Sequence, residues 1–245
     1  MIADFRTWSV LLLFAALSTL PVLIFAVGPG ETVVIWSGEF SPVELVTALA
    51  YLTGAGLAVY AAFHSWQLRR WFFVGWTVVC LLYFGEETSW LQSYIQYSTP
   101  EVVAGHNAQG EFNLHNLNFA QGSHEDRLKN VDSFGALISS GTLWRPDRVN
   151  QYFFLAVFAL YPLLNKVRKL PGFVTSQQLP CPGPRLLLSI WLPVVLTTAL
   201  IFASSGVLVH ALEETREMFY AIAMAAFIFV STRSLDNSAT RVVPA

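Results

Sequence analysis

The chain has 245 residues, of which 54% are hydrophobic and 12% are charged, and its formal net charge is −2. So few charged residues cannot cover the surface of a soluble globular protein, and an acidic balance without a basic stripe argues against nucleic-acid binding. Several apolar stretches approach or exceed the roughly 20 residues that a helix needs to cross a bilayer. We therefore expect an integral membrane protein.

The apolar segments predict an all-α fold, a polytopic membrane helix bundle that forms a single domain over residues 1–245. The first segment follows Arg6 and superficially resembles a signal peptide, but its apolar run is longer than that of a usual signal sequence. We interpret it as an uncleaved helix. The predicted spans are 8–27, 44–63, 71–95, 150–165, 186–209 and 212–232.

Lysines and arginines in the short loops predict the orientation, because positive residues concentrate on the cytoplasmic side of a membrane. This pattern favours an N-in, C-in topology. Residues 96–149 then form a long outer lid loop, which we expect to contain short helices. With the N-terminus inside, the inner face receives Arg6, Arg69, Arg70, Lys166, Arg168, Lys169, Arg185, Arg233 and Arg241.

Acidic residues occur at matching depths in the third and sixth spans. In the segment FGEETSWLQ (84–92), Glu86 lies sixteen residues after Arg70, which is about 24 Å along a helix. The hydrocarbon core is about 30 Å thick, so this carboxylate falls in its outer third. Ionisable groups at such depth mark function by default. At or near the same level we place Glu87, Glu217, Glu213, Glu214 and His210.

The spacing of acids and histidines indicates a metal site. On the sixth span, His210, Glu214 and Glu217 share one helical face, and in the outer loop Glu111 and His115 are four residues apart. Carboxylates with two histidines in a helix bundle are ligands of Zn, Fe or Mn. We expect a divalent transition metal, Zn or Fe, with His115, His210, Glu111, Glu213 and Glu214 as ligands. Asn107, Gln109 and Asn116 are expected to hydrogen-bond to these ligands.

A metal held in this way would activate a bound water molecule. Glu86, Glu87 and Glu217 are then the expected catalytic residues, one of them acting as the general base. The substrate would be a membrane lipid or a peptide that enters from the outer leaflet, and hydrolysis is the expected reaction.

Other interpretations stay open at this point. Buried acids also relay protons or bind cations in proteins without enzymatic activity, and the chain is equally compatible with an accessory subunit that needs membrane-protein partners. In the simplest interpretation, Glu86 and Glu87 are a hydrated pair at a helix end. The acids of residues 213–217 would then only complement a helix N-terminus, with Arg216 neutralising one of them.

Three sequence blocks resemble the signature of a family of bacterial multi-pass membrane proteins with no established activity. The blocks are GEETSWLQ (85–92), NAQGEFNLHN (107–116) and LEETRE (212–217). In that family the tryptophan is usually followed by Gly-Gln-Arg, so Leu91 and Ser93 depart from the pattern. The resemblance covers most of the chain and marks Glu86, Glu87, Glu111, His115, Asn116, Glu213, Glu214 and Glu217.

Two further groups are similar in a looser way. The CAAX-type glutamate intramembrane proteases carry Glu-Glu-x-x-x-Arg, Phe-x-x-x-His and His-x-x-x-Asn or Asp. Here Leu91 replaces the arginine, Phe112 is one residue too close to His115, and Glu214 follows His210 at the fourth place. The alkaline-ceramidase-like membrane hydrolases share the size and the class of site, but not the histidine pattern.

Overall fold

The computed structural model describes residue 35 and residues 41–65, 67–105, 112, 146–167, 179–204 and 207–239. Within these ranges all regular secondary structure is helical, as the sequence predicts. The helices are α1 (Pro42–Phe63), α2 (Gln67–Glu87), α3 (Gln92–Ile95), α4 (Glu101–Ala104), α5 (Pro146–Leu155), α6 (Tyr161–Lys166), α7 (Pro184–Ala203) and α8 (Val207–Ala239).

The chain forms two compact units. The first unit consists of residues 1–81 and 165–245, and the second consists of residues 82–164. In the first unit, α8 packs against both α1 and α7. Because α8 is covered from several directions, its buried side chains lie on all of its faces rather than along one stripe; they include Leu212, Phe219, Met224, Phe227 and Ile228.

A glycine sets the spacing of the helices in the first unit. A Cβ atom at Gly54 of α1 would lie 3.1 Å from the Cys80 Sγ of α2 and 3.6 Å from the Ala225 Cα of α8. The distance to the sulfur is tighter than usual and the distance to the Ala225 Cα is an ordinary van der Waals contact, so a side chain at position 54 would press mainly on Cys80. Beside this contact, the ring of Trp76 packs edge-on against that of Phe227, with centroids 5.5 Å apart.

Helix α5 continues into α6 through a widened, π-helical turn at Ala156–Leu160. The Tyr161 N–H donates to the Ala156 carbonyl, five residues back. The widening has a local cause, because Pro162 has no N–H for the carbonyl four residues before it. The side chains of Phe154 and Phe158 in this segment are buried.

A helix lies at each predicted span from the second to the sixth, and the first predicted span lies outside the described residues. The predicted fifth span, 186–209, is too long, because α7 ends at Ala203 and α8 begins at Val207. Two of the described helices, Pro42–Phe63 and Pro184–Ala203, are long and apolar enough to cross a membrane. The prediction of a third span that continues to residue 95 is wrong, because α2 ends at Glu87. The reason is a left-handed turn that the sequence pattern did not reveal.

Candidate functional site: carboxylates of α8 and the turn after α2

Four carboxylates gather where α1 and α8 begin. Glu214 interacts electrostatically with Glu217 and Glu213 of its own helix and with Glu44 of α1. All four residues are partly buried. Like charges within electrostatic range of each other repel, more strongly where water is partly excluded, so this arrangement favours a proton or a cation between the carboxylates.

The direction of the helices explains why Glu44 joins the acids of α8. Gly54 meets Ala225, and Glu44 lies ten residues before the first, while Glu214 lies eleven residues before the second. These separations correspond to about 15 and 16 Å of helix. The two helices therefore run parallel, and their acids lie at the same end of the pair.

Sequence reasoning missed Glu44. It follows Ser41, whose hydroxyl accepts a hydrogen bond from the Glu44 N–H at 3.2 Å, and an acid in the first turn of a capped helix is an ordinary local feature. A usable signal was present in the alternation of the spans. In the predicted topology, spans two and six cross in the same direction, so an acid that opens the second span is expected to lie level with the acids that open the sixth.

Arg216 lies within the acidic segment of α8. It is only 8% exposed, and its Nε has no hydrogen-bond partner among the residues that the structure describes. Two residues correspond to about 200° around a helix, so Arg216 and Glu214 project from opposite sides of α8. Glu213, three residues before Arg216, lies on the same side of the helix as Arg216, so neutralisation of one acid by Arg216 stays a prediction.

Glu86 of the second unit has a quite different environment. The indole Nε1–H of Trp90 donates to its Oε1 at 3.2 Å. The indole is able to reach back over the end of α2 because Gly85 has no side chain. A Cβ atom there would lie 2.7 Å from the Cδ2 and Cε2 atoms of the Trp90 ring. The glycine, the acid and the tryptophan of GEETSWLQ therefore form one local structure.

Left-handed backbone brings the indole into this position. Ser89, Trp90 and Leu91 have φ angles of 45°, 55° and 62°. For residues with a side chain this conformation costs roughly 1–2 kcal/mol each, and normally only single residues adopt it. Three in succession are a local strain that surrounding contacts must offset, and such strain occurs preferentially at functional sites.

Polar contacts surround the left-handed turn. The Tyr97 hydroxyl lies 3.4 Å from the Ser89 carbonyl oxygen and 3.3 Å from that of Trp90. The Gln92 amide donates to the Tyr97 carbonyl at 3.2 Å and to Thr99 Oγ1 at 2.7 Å. Its Oε1 accepts from the Phe112 N–H at 2.7 Å. Gln92 thus ties the turn to the segment that follows it.

Several predicted site residues lie outside the described residues: Asn107, Gln109, Glu111, His115 and Asn116. His210 lies on α8 one turn before Glu214, and its side chain is also outside the description. Among the His, Cys, Asp and Glu residues that are described, no group of three is arranged to hold a metal ion. Glu86 and Glu87 belong to the second unit, whereas Glu213, Glu214 and Glu217 belong to the first, so their convergence stays a prediction.

Comparison of the chain with protein-family models, with curated proteins and with solved structures found no match.

Proposed function

We propose that this chain is a multi-pass protein of the bacterial cytoplasmic membrane, and that the carboxylates of α1 and α8 bind and release protons or a cation near the outer face. The observation that carries the proposal is the electrostatic interaction of Glu214 with three other carboxylates. Acids in a membrane are costly unless they are protonated, paired or bound to a cation. In a proton relay or a cation-binding site, the bound protons or the bound cation would lower this cost.

The location in a membrane is supported by the two long apolar helices and by the composition of the chain. The parallel course of α1 and α8 agrees with the predicted alternation of the spans, in which the second and the sixth cross in the same direction. Labelling from outside intact cells tests the orientation in a background without Cys80 and Cys181. A cysteine at exposed Ser98 should be labelled, and one at exposed Lys166 should be protected.

Cation binding by purified protein tests the proposed role. The full chain in detergent is titrated with Na⁺, Ca²⁺ or Mn²⁺ in weakly buffered solution, and bound cation and released protons are both measured. Glu44→Gln and Glu214→Gln should each weaken binding and reduce proton release at least severalfold. Glu101→Gln is the control, since it removes an exposed carboxylate on α4. Cation binding that is unchanged in both cluster variants contradicts the proposal.

A metal-dependent membrane hydrolase that acts on a lipid or a peptide is the second candidate. It is favoured by the continuity of α8, because His210, Glu214 and Glu217 occur at spacings of four and three within one uninterrupted helix. Zn or Fe would be held by these residues together with the loop ligands Glu111 and His115. Elemental analysis of purified protein beside a Glu86→Gln/Glu214→Gln double variant distinguishes the candidates. One tightly bound transition metal per chain, lost in the variant, favours the hydrolase.

A further inference from the structure

The break between α2 and α3 has no cause in the residues that usually end helices. Residues 88–92 contain neither glycine nor proline, yet Ser89, Trp90 and Leu91 are all left-handed. For these three residue types the right-handed helix is the ordinary conformation. The left-handed turn must therefore be held by contacts of its side chains and neighbours.

One contact of the turn involves an ionisable side chain of the helix before it. This contact is the hydrogen bond from the Trp90 indole to Glu86 Oε1, and it closes the loop between the end of α2 and the middle of the turn. Tyr97 and Gln92 act on the far side, through bonds to backbone carbonyls and to Thr99. An indole N–H can donate but not accept, so it depends on the acceptor that Glu86 offers.

We infer that residues 85–92 are a conformational latch, in which the hydrogen bond from Trp90 to Glu86, together with the contacts of Tyr97 and Gln92, holds Ser89–Leu91 left-handed. When Glu86 no longer accepts this bond, the turn returns to right-handed helix and α2 extends toward Ile95. Trp90 is a positioning residue in this device, and Gly85 provides the space for its ring. The latch couples the state of one carboxylate to the length of a helix, and it is independent of the cation-binding role proposed for α1 and α8.

The indole N–H gives a direct readout of the latch. Full-length protein in detergent is labelled with ¹⁵N in its tryptophan indoles, and the Trp90 signal is identified by its absence in Trp90→Phe. In Glu86→Leu this signal should move upfield and exchange with solvent several times faster than in the wild type. Glu86→Gln keeps a neutral acceptor and should give an intermediate shift. Glu87→Leu removes the neighbouring carboxylate and should leave the signal in place.

The length of the helix is measured separately, with spin labels at exposed Val78 and Tyr94. Sixteen residues of continuous helix correspond to about 24 Å, and the wild type should show a shorter distance. Glu86→Leu, Trp90→Phe and Gly85→Ala should each add a population near the longer distance. Gly75→Ala is the matched control, because a Cβ atom at Gly75 has no heavy atom within 4 Å.

Two results would overturn the inference. The first is a wild-type distance distribution in both Glu86→Leu and Trp90→Phe, which would mean that the turn does not depend on this hydrogen bond. The second is an equal response of Glu86→Leu and Glu87→Leu, which would reduce the effect to a general loss of charge at a helix end.

Discussion

The tripeptide Glu-Glu-Thr occurs twice in this chain, at residues 86–88 and 213–215, with opposite structural results. In both copies the threonine hydroxyl donates to the carbonyl four residues back, Thr88 to Phe84 at 2.8 Å and Thr215 to Ala211 at 2.7 Å. In the first copy the helix ends at once and a left-handed turn follows. In the second copy the helix continues to Ala239.

The residues on either side of the tripeptide explain the difference. Gly85 precedes the first copy, and because it has no side chain, the ring of Trp90 packs against its backbone. Leu212 precedes the second copy and is buried in the first unit, where a continuous α8 packs against α1 and α7. One pair of acids thus meets a hydrogen-bond donor and the other meets more acids. The same sequence acquires different chemistry from its tertiary surroundings.

The largest effect on stability is expected from Gly85→Ala, which tests the packing of Trp90 beside the first copy of the tripeptide. The new Cβ atom would lie 2.7 Å from the Trp90 ring, and overpacking of this kind typically costs about 1–3 kcal/mol. Equilibrium unfolding in mixed detergent micelles should show a clear loss of stability. Gly75→Ala on the same helix should be neutral or slightly stabilising, because alanine is the better helix former. Equal stability of the two variants would mean that the indole is not held against Gly85.

Gly54→Ala tests the packing of α1 against α8, which brings Glu44 close to the acids of the second copy. Its Cβ atom would lie 3.1 Å from the Cys80 Sγ, so we expect α1 to shift away and stability to fall by about 1–2 kcal/mol. Gly56→Ala is the control on the same helix, with no heavy atom within 4 Å of the new Cβ. A stabilised Gly54→Ala variant would contradict the close approach of α1, α2 and α8.

Tyr97→Phe should have a smaller effect on the first copy. It removes a hydroxyl that lies near the carbonyl oxygens of Ser89 and Trp90, and a hydrogen bond of this type contributes about 0.5–1.5 kcal/mol. Tyr94→Phe provides the comparison, since Tyr94 is 67% exposed. If both variants lose the same stability, the Tyr97 hydroxyl does not support the left-handed turn.

The smallest effect, and one of opposite sign, is expected from Glu217→Gln in the second copy. Glu217 lies four residues after Glu213 and three after Glu214, and each like-charge pair at these spacings costs roughly 0.2–0.5 kcal/mol. Removing one charge should therefore raise stability slightly, and less so at high salt. A loss of stability that persists at high salt would indicate that Glu217 accepts a hydrogen bond the protein needs.

The helices themselves were predictable because apolar periodicity and length act over many residues at once. The segments 44–63 and 186–203 contain long apolar runs that form α1 and most of α7, because a long apolar run of helix-forming residues favours a helix wherever it packs. The end of α2 was not predictable in this way. The segment Thr-Ser-Trp-Leu-Gln (88–92) contains no helix breaker. The turn depends on contacts of the Trp90 ring with Gly85 and with the Glu86 carboxylate.

The acidic site was also predictable only in part. Sequence alone selected Glu213, Glu214 and Glu217, because carboxylates inside an apolar helix stand out wherever that helix packs. Glu44 did not stand out, since a capped first turn explains an acid locally. Its membership in the cluster depends on which helix lies beside α8 and in which direction that helix runs. The contact of Gly54 with Ala225 and the interaction of Glu44 with Glu214 together establish both, and contact between distant segments is a property of the tertiary structure, not of local sequence.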